Sequence, residues 1–178
     1  MRCLRVFGYA LHPKGLVTMN RVFIGLGILA LLVLYQWGTS RMRMSRLKRE
    51  WETALRAFKD KDLETAQKSL QRCVRLMPMW TPARFMLGGV LAKRGRLADA
   101  EAQLKLGADL EPRSPEGHLQ LGMFYVVCHP DCAEEAIAAL ERAAACDPAL
   151  REQFANAPGL EAIRSHPRFQ QLIGHADS

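Results

Sequence analysis

An interval of 34 residues recurs along this chain and constrains its fold more than any other feature. Leu87-Gly88 returns as Leu121-Gly122, 34 positions later, and Pro78 returns as Pro112 at the same interval. Ala66, Leu70 and Cys73 precede Pro78 as Ala100, Leu104 and Gly107 precede Pro112. Ala136, Leu140 and Ala143 then precede Pro148, 36 positions beyond Pro112, so the third unit carries two extra residues around His129-Pro130-Asp131. Within one unit the pattern reads as two helices. Small residues such as Gly88 and Ala100 allow close approach, Gly95 tolerates the backbone angles of a tight turn, and Pro112 ends the second helix. Leu91, Leu97 and Leu104 fill the space around the small residues. A period of this length marks a stack of repeated units rather than a single globular core.

The segment TPARFMLGGVLAKRGRLADAEAQLKLGADLEP (81–112) carries Leu87-Gly88, Gly95, Leu97, Ala100, Leu104 and Pro112, and it resembles a tetratricopeptide repeat. Three such repeats are read at about 47–80, 81–114 and 115–149. The resemblance implies an all-α solenoid whose paired helices meet at Ala66, Gly88, Ala100, Gly122 and Ala136. It also implies that the first helix of each repeat lines a concave groove for a protein partner. In this register the groove displays Phe85, Gly89 and Lys93 from the second repeat and Leu119 and Met123 from the third. In the first repeat two phases are open: with Ala54 and Ala57 at the small positions, the preferred one, Trp51, Leu55 and Phe58 turn to the same groove, and a shift of one residue reverses these roles. The expected occupant is an apolar or amphipathic segment of a protein, with a basic edge at Lys93 and Arg94. Some tetratricopeptide domains hold the C-terminal carboxylate of chaperones with Lys, Arg and Asn. The only Asn here are Asn20 and Asn156, both outside the repeats, so chaperone tails are not expected. The competing expectation is that the chain's own C-terminus fills the groove.

Charge separates the chain into two parts. Of 25 Lys and Arg, nine lie in residues 1–49, where there is no Asp or Glu; 16 basic and 18 acidic residues remain beyond. The overall +7 therefore belongs to the N-terminal part, and the repeats are nearly neutral. A nucleic-acid-binding solenoid would show the reverse. There is no Gly-rich phosphate loop, no nucleophile in a recognisable setting and no paired carboxylates across a cleft. Neither an enzymatic activity nor a cofactor nor a small-molecule substrate is expected.

Residues 22–40, VFIGLGILALLVLYQWGTS, hold no charge. As a helix they would span about 28 Å, near the thickness of a bilayer's hydrocarbon core. Tyr35 and Trp37 fall at the end, where aromatic side chains favour the interface. A single-pass signal anchor is the preferred reading, preceded by a basic tail (1–21) and followed by a basic juxtamembrane segment (41–49). The cluster RMRMSRLKR resists translocation, which places the repeats on the cytoplasmic side. Met19 also reads as a start of translation, which would leave the other flank little charge; residues 1–18 show no periodicity and are assigned no structure. The alternative is a cleaved signal: the dense apolar part, 22–35, suits a signal sequence, and Gly38 and Ser40 suit cleavage before Arg41, giving a periplasmic or secreted repeat protein.

Two further stretches stand out. GLEAIRSHPRFQQLIG (159–174) resembles the closing segment that follows tetratricopeptide repeats, so 150–178 is read as capping helices and tail. A solenoid needs such a cover over its last repeat. CHPDC (128–132) raises a remote metal or redox possibility at Cys128 and Cys132. Structural zinc takes two ligand pairs and here there is one, so the stretch reads as a lengthened turn. Five Cys without regular spacing do not form a disulfide framework.

Overall fold

The computed structural model describes the backbone of residues 13–174 and side chains from residue 27. Every regular element among the described residues is helical. They are α1 (Pro13–Lys59), α2 (Leu63–Leu76), α3 (Thr81–Lys93), α4 (Leu97–Leu110), α5 (Pro115–Cys128), α6 (Ala133–Cys146), α7 (Leu150–Asn156), a 3-10 turn (Glu161–Ile163) and α8 (Pro167–Gly174). The chain divides into two compact units, Met1–Ser45 and Arg46–Ser178.

In the first unit α1 begins at Pro13, within a stretch to which the sequence pattern assigns no structure. A proline costs little there, because the first N–H groups of a helix have no intrahelical partner. Leu31, Leu32, Val33 and Leu34 follow one another and are each more than half exposed. At 100° per residue, four consecutive positions cover most of the helix circumference, so the helix is apolar all round. The polar end of the run turns inward on its own backbone: the Thr39 hydroxyl donates to the Gln36 carbonyl at 2.9 Å. The Arg41 guanidinium lies 5.0 Å from the centre of the Trp37 ring. Among the described residues no helix is long and apolar enough to cross a membrane. The expected span starts at Val22, and side chains 22–26 lie outside the described residues, as do the whole of 1–12 and 175–178.

The second unit is a stack of helix pairs: the end of α1 with α2, α3 with α4, α5 with α6, closed by α7 and α8. The pairs meet where side chains are missing. A Cβ on Gly88 would lie 2.7 Å from Leu104 Cγ and 3.3 Å from the Ala100 carbonyl. The next pair repeats this geometry: a Cβ on Gly122 would lie 2.8 Å from Leu140 and 3.3 Å from the Ala136 carbonyl. Ala54 occupies the corresponding position of the first pair and is fully buried, as are Ala66 and Leu70 in the same core. Neighbouring pairs join through a second set of vacancies. The Phe85 ring fills the space beside Gly107 and Gly117, where added Cβ atoms would lie 2.3 Å and 3.0 Å from it.

Turns and caps follow from local chemistry. Gly95, between α3 and α4, has φ +76°, and Lys61, 34 residues earlier, has φ +61°. The first repeat thus makes the same left-handed turn without glycine. Asp62 then caps α2, its carboxylate accepting from the Thr65 N–H at 3.0 Å. Hydrogen bonding from Thr65, its side chain first and its backbone N–H second, favours the ionised form and holds the Asp62 carboxyl below its usual range. Pro82 and Pro115 sit in the first turns of α3 and α5, where no N–H is needed.

The C-terminal segment closes the stack. Phe154, Leu160, Ile163 and Phe169 are all buried against the last repeat. Arg168 fastens α8 to α6, donating from Nη1 to Glu134 and from Nε to Glu141, both at 2.8 Å. Those carboxylates raise its pKa above the usual guanidinium value.

Candidate functional site

The first helices of the three repeats form a trough along the unit. Its central compartment holds about 600 Å³ and is walled by Trp51 and Phe58 of α1, Phe85, Met86 and Gly89 of α3, and Gln120 of α5. A second compartment of about 320 Å³ shares Gly89 and Gln120 and continues along Lys93, Met123 and Val127. A third, about 640 Å³, shares Phe58 with the first and Lys93 with the second and adds Lys59 and Lys61. The wall residues on α3 recur at helical spacing, Pro82, Phe85/Met86, Gly89 and Lys93, so one face of α3 runs the length of the trough.

The expected groove residues fall into three groups. Trp51, Phe58, Gly89, Lys93 and Met123 lie on the trough wall. The Trp51 ring packs on Trp80, with centroids 4.7 Å apart and planes at 51°. Lys93 Nζ lies 5.8 Å from the centre of the Phe58 ring, within range of a cation–π contact. Phe85 needs a correction. It touches the trough, but it is only 9% exposed, because the space beside Gly107 and Gly117 draws its ring into the core. It forms the floor and does not project as an anchor. Leu55 and Leu119 also differ from expectation. Leu55 is 40% exposed and stands off the wall, while Leu119 is half-buried and packs onto the core. Residues that the register did not single out complete the wall: Met86 and Gln120 sit beside Phe85 and Leu119, and 34 residues apart from each other. Thr81, Glu111 and Glu116 form the far rim.

The C-terminal segment reaches one edge only. A Cβ on Gly159 would lie 3.3 Å from the Met123 methyl group, so this segment abuts the second compartment. Phe169 is wholly buried in the last repeat's core, while the central compartment has no wall residue from 150–174.

Polar groups of the second and third repeats are tied in place, some of them on the trough rim. Tyr125 donates to Glu101 at 2.7 Å, and Lys105 pairs with the same carboxylate at 2.6 Å. Hydrogen bonds from Lys105 and then Tyr125 hold the Glu101 carboxyl below its usual range, while burial pushes the Tyr125 phenol up. Thr81 donates to Glu111 at 2.7 Å, and Gln120 donates to Glu116 at 2.8 Å.

Cys128 ends α5 and Cys132 precedes α6, with His129 between them. The His129 ring meets Phe124 edge-on at 5.4 Å, and its buried Nε2 has no hydrogen-bond partner among the described residues. Burial raises the Cys128 thiol, which lowers its thiolate fraction and its reactivity. Buried Cys73 is pushed up to about 11. Among the described residues no three His, Cys, Asp or Glu side chains stand together as a metal site would require.

No family model matches the sequence, and no curated protein matches it. Solved structures do match in shape. A Thermobaculum terrenum O-GlcNAc transferase mutant aligns over 68% of this chain with TM-score 0.57 and 20% identity. MamA protein aligns over 71% with TM-score 0.57 and 19% identity. The TPR2B domain of yeast Sti1, in its pHsp70 complex, aligns over 74% with TM-score 0.53 and 15% identity. The chain spans only 22% of the transferase's length, against 69% of MamA and 96% of the TPR2B domain. At these identities the likeness concerns fold alone. The paired helices, the 34-residue register and these neighbours together make the fold of the second unit that of a tetratricopeptide solenoid.

Proposed function

We propose that this protein is a membrane-anchored adaptor, without enzymatic activity, that binds a segment of a protein partner in its trough. The observation that carries the reading is the apolar central compartment, about 600 Å³, lined by Trp51, Phe58 and Met86. Aromatic side chains in a concave apolar site are the usual source of interface energy. The TPR2B domain of yeast Sti1 was solved in complex with pHsp70, a precedent for partner binding on this fold. The anchor rests on residues 22–40, a run without charge whose described part is apolar on every side. Such a surface has no favourable place in water. The basic segment after it, Arg41 to Arg49, keeps the repeats cytoplasmic by the positive-inside rule.

The test is a photo-crosslinking amino acid placed at Gln120 in the full chain, in cells. A single protein segment, identified by mass spectrometry and bound again as a synthetic peptide, is the expected product. The same probe at Gln103, off the trough wall, should not yield it. Absence of any product at Gln120 contradicts the adaptor reading. N-terminal sequencing decides the anchor: a mature chain starting at Arg41 would replace it with an exported protein.

A further inference from the structure

Two kinds of glycine sit side by side in α3. Gly88 is required by packing, since a Cβ there meets Leu104 at 2.7 Å. At Gly89 a Cβ would meet nothing within 4 Å. A glycine in the middle of an exposed helix costs stability relative to alanine, because it leaves the unfolded backbone more freedom. The fold gains nothing in return at Gly89. The corresponding residue of the first repeat is Leu55 and that of the third is Met123, so only the middle repeat gives up its side chain here. Gly89 lies on the shared wall of the two compartments that meet at Gln120. A glycine at such a place lets another chain approach the helix backbone closely.

The charges around this point are sorted. Glu111 and Glu116 stand at the end of the trough beside the start of α3. Lys59, Lys61 and Lys93 stand at the other end, beside its last residue. Among the described residues none of the five is in an ion pair. Asp60 and Asp62, which alternate with the lysines in the turn, are not on the wall, and Asp62 is occupied in capping α2. From Pro82 to Lys93 the α3 axis rises about 16 Å, at ~1.5 Å per residue. That is about twice the screening length at physiological salt, so the two ends act as separate charges instead of cancelling.

We infer that the trough selects a dipolar protein segment: acidic at the end lying over Lys59, Lys61 and Lys93, basic at the end lying over Glu111 and Glu116, with a bulky apolar side chain seated against the bare backbone of Gly89. This rests on the adaptor reading and specifies its ligand. A uniformly acidic segment meets like charge at Glu111 and Glu116, and a uniformly basic one meets it at the lysines, so each is disfavoured at one end.

The probes are fluorescent nonapeptides with one apolar centre and three flank patterns: Glu at one end and Lys at the other (in both sequence orders), Glu at both ends, and Lys at both ends. They are titrated into the full chain in detergent micelles. One dipolar peptide should bind about tenfold tighter than either uniform peptide, a gap of the size like-charge contacts produce. Changing Glu111→Lys and Glu116→Lys together should move the preference to the all-Glu peptide. Gly89→Ala should weaken the dipolar peptide about tenfold, by overpacking, while raising the melting temperature by about 2–4 °C. Equal binding of dipolar and all-Glu peptides overturns the inference, as does a Gly89→Ala chain that binds unchanged. The crosslink at Gln120 separates this failure from a deeper one. If it still yields a partner segment, only the dipolar rule is wrong; if it yields nothing, the adaptor reading falls with it. A crosslink joining two copies of this chain would assign the trough to self-association instead.

Discussion

The seams between the helices and the trough on their concave side use the same residue type for opposite ends. In the seams, at Gly88, Gly107, Gly117 and Gly122, each missing side chain is replaced by a neighbour that would lie within about 3 Å of an added Cβ. In the trough, at Gly89, the space stays open. The seam glycines convert helix-weakening residues into close packing, so their cost returns as buried contact. The trough glycine has no such return within the chain. Tight seams are what a solenoid needs to stand up, and an unfilled position is what it needs to hold something else.

The largest test of this contrast lies where the last seam is closed. Phe169 is fully buried under the final repeat, so Phe169→Ala should destabilise the chain by about 3–5 kcal/mol in chemical denaturation. A loss below ~1 kcal/mol would mean the closing segment is not part of the packed core. Next in size, Gly88→Leu forces a branched side chain into Leu104 and Ala100, and overpacking of this kind costs about 1–3 kcal/mol. By contrast, Met86→Ala on the trough wall, where the side chain is only half-buried against the core, should cost no more than about 1 kcal/mol. A large loss at Met86 would erase the distinction between the two regions.

Two smaller effects sharpen the comparison at the edges. Lys61 holds a left-handed conformation that suits glycine, as Gly95 does in the next repeat. Lys61→Gly should therefore stabilise the second unit by about 0.5–1 kcal/mol, the relief of strain exceeding the gain in unfolded-chain entropy. The smallest effect concerns pH. Glu101 is held below its usual range by Lys105 and Tyr125, so its contribution is present above the unfolded carboxyl pKa of about 4. It disappears as pH falls through the depressed folded value. In Glu101→Gln, thermal melts across the acid range should show a shallower decline than the parent chain.

The fold could be read from the sequence because it is written in local spacing. Gly88 and Gly122 each face an Ala carbonyl and a Leu twelve to eighteen residues on, and the 34-residue period carries that pairing along the chain. The site could be read only in part. Which face of each first helix lines the trough follows from the position of the small residues, and Trp51, Phe58, Gly89, Lys93 and Met123 stand there. The depth of Phe85 could not be read this way, because the hole that takes its ring is made by Gly107 on α4 and Gly117 on α5. Neither glycine belongs to the pattern of the helix it serves. The charge sorting was hidden for the same reason. Glu111 and Lys61 lie in turns fifty residues apart, and only the stacking of repeats sets them at opposite ends of one trough.

The most direct measurement of the central claim is a pair of thermal melts on the full chain, Gly88→Ala and Gly89→Ala. The two positions are adjacent on one helix and receive the same methyl group. Helix propensity favours alanine at both by about 0.5–1 kcal/mol, so any difference in sign comes from what surrounds the new Cβ. The account predicts a lower melting temperature for Gly88→Ala, where Leu104 blocks the methyl group, and a higher one for Gly89→Ala, where nothing does. A lower melting temperature for both would show that Gly89 is a packing position like its neighbour, and the open trough would lose its basis.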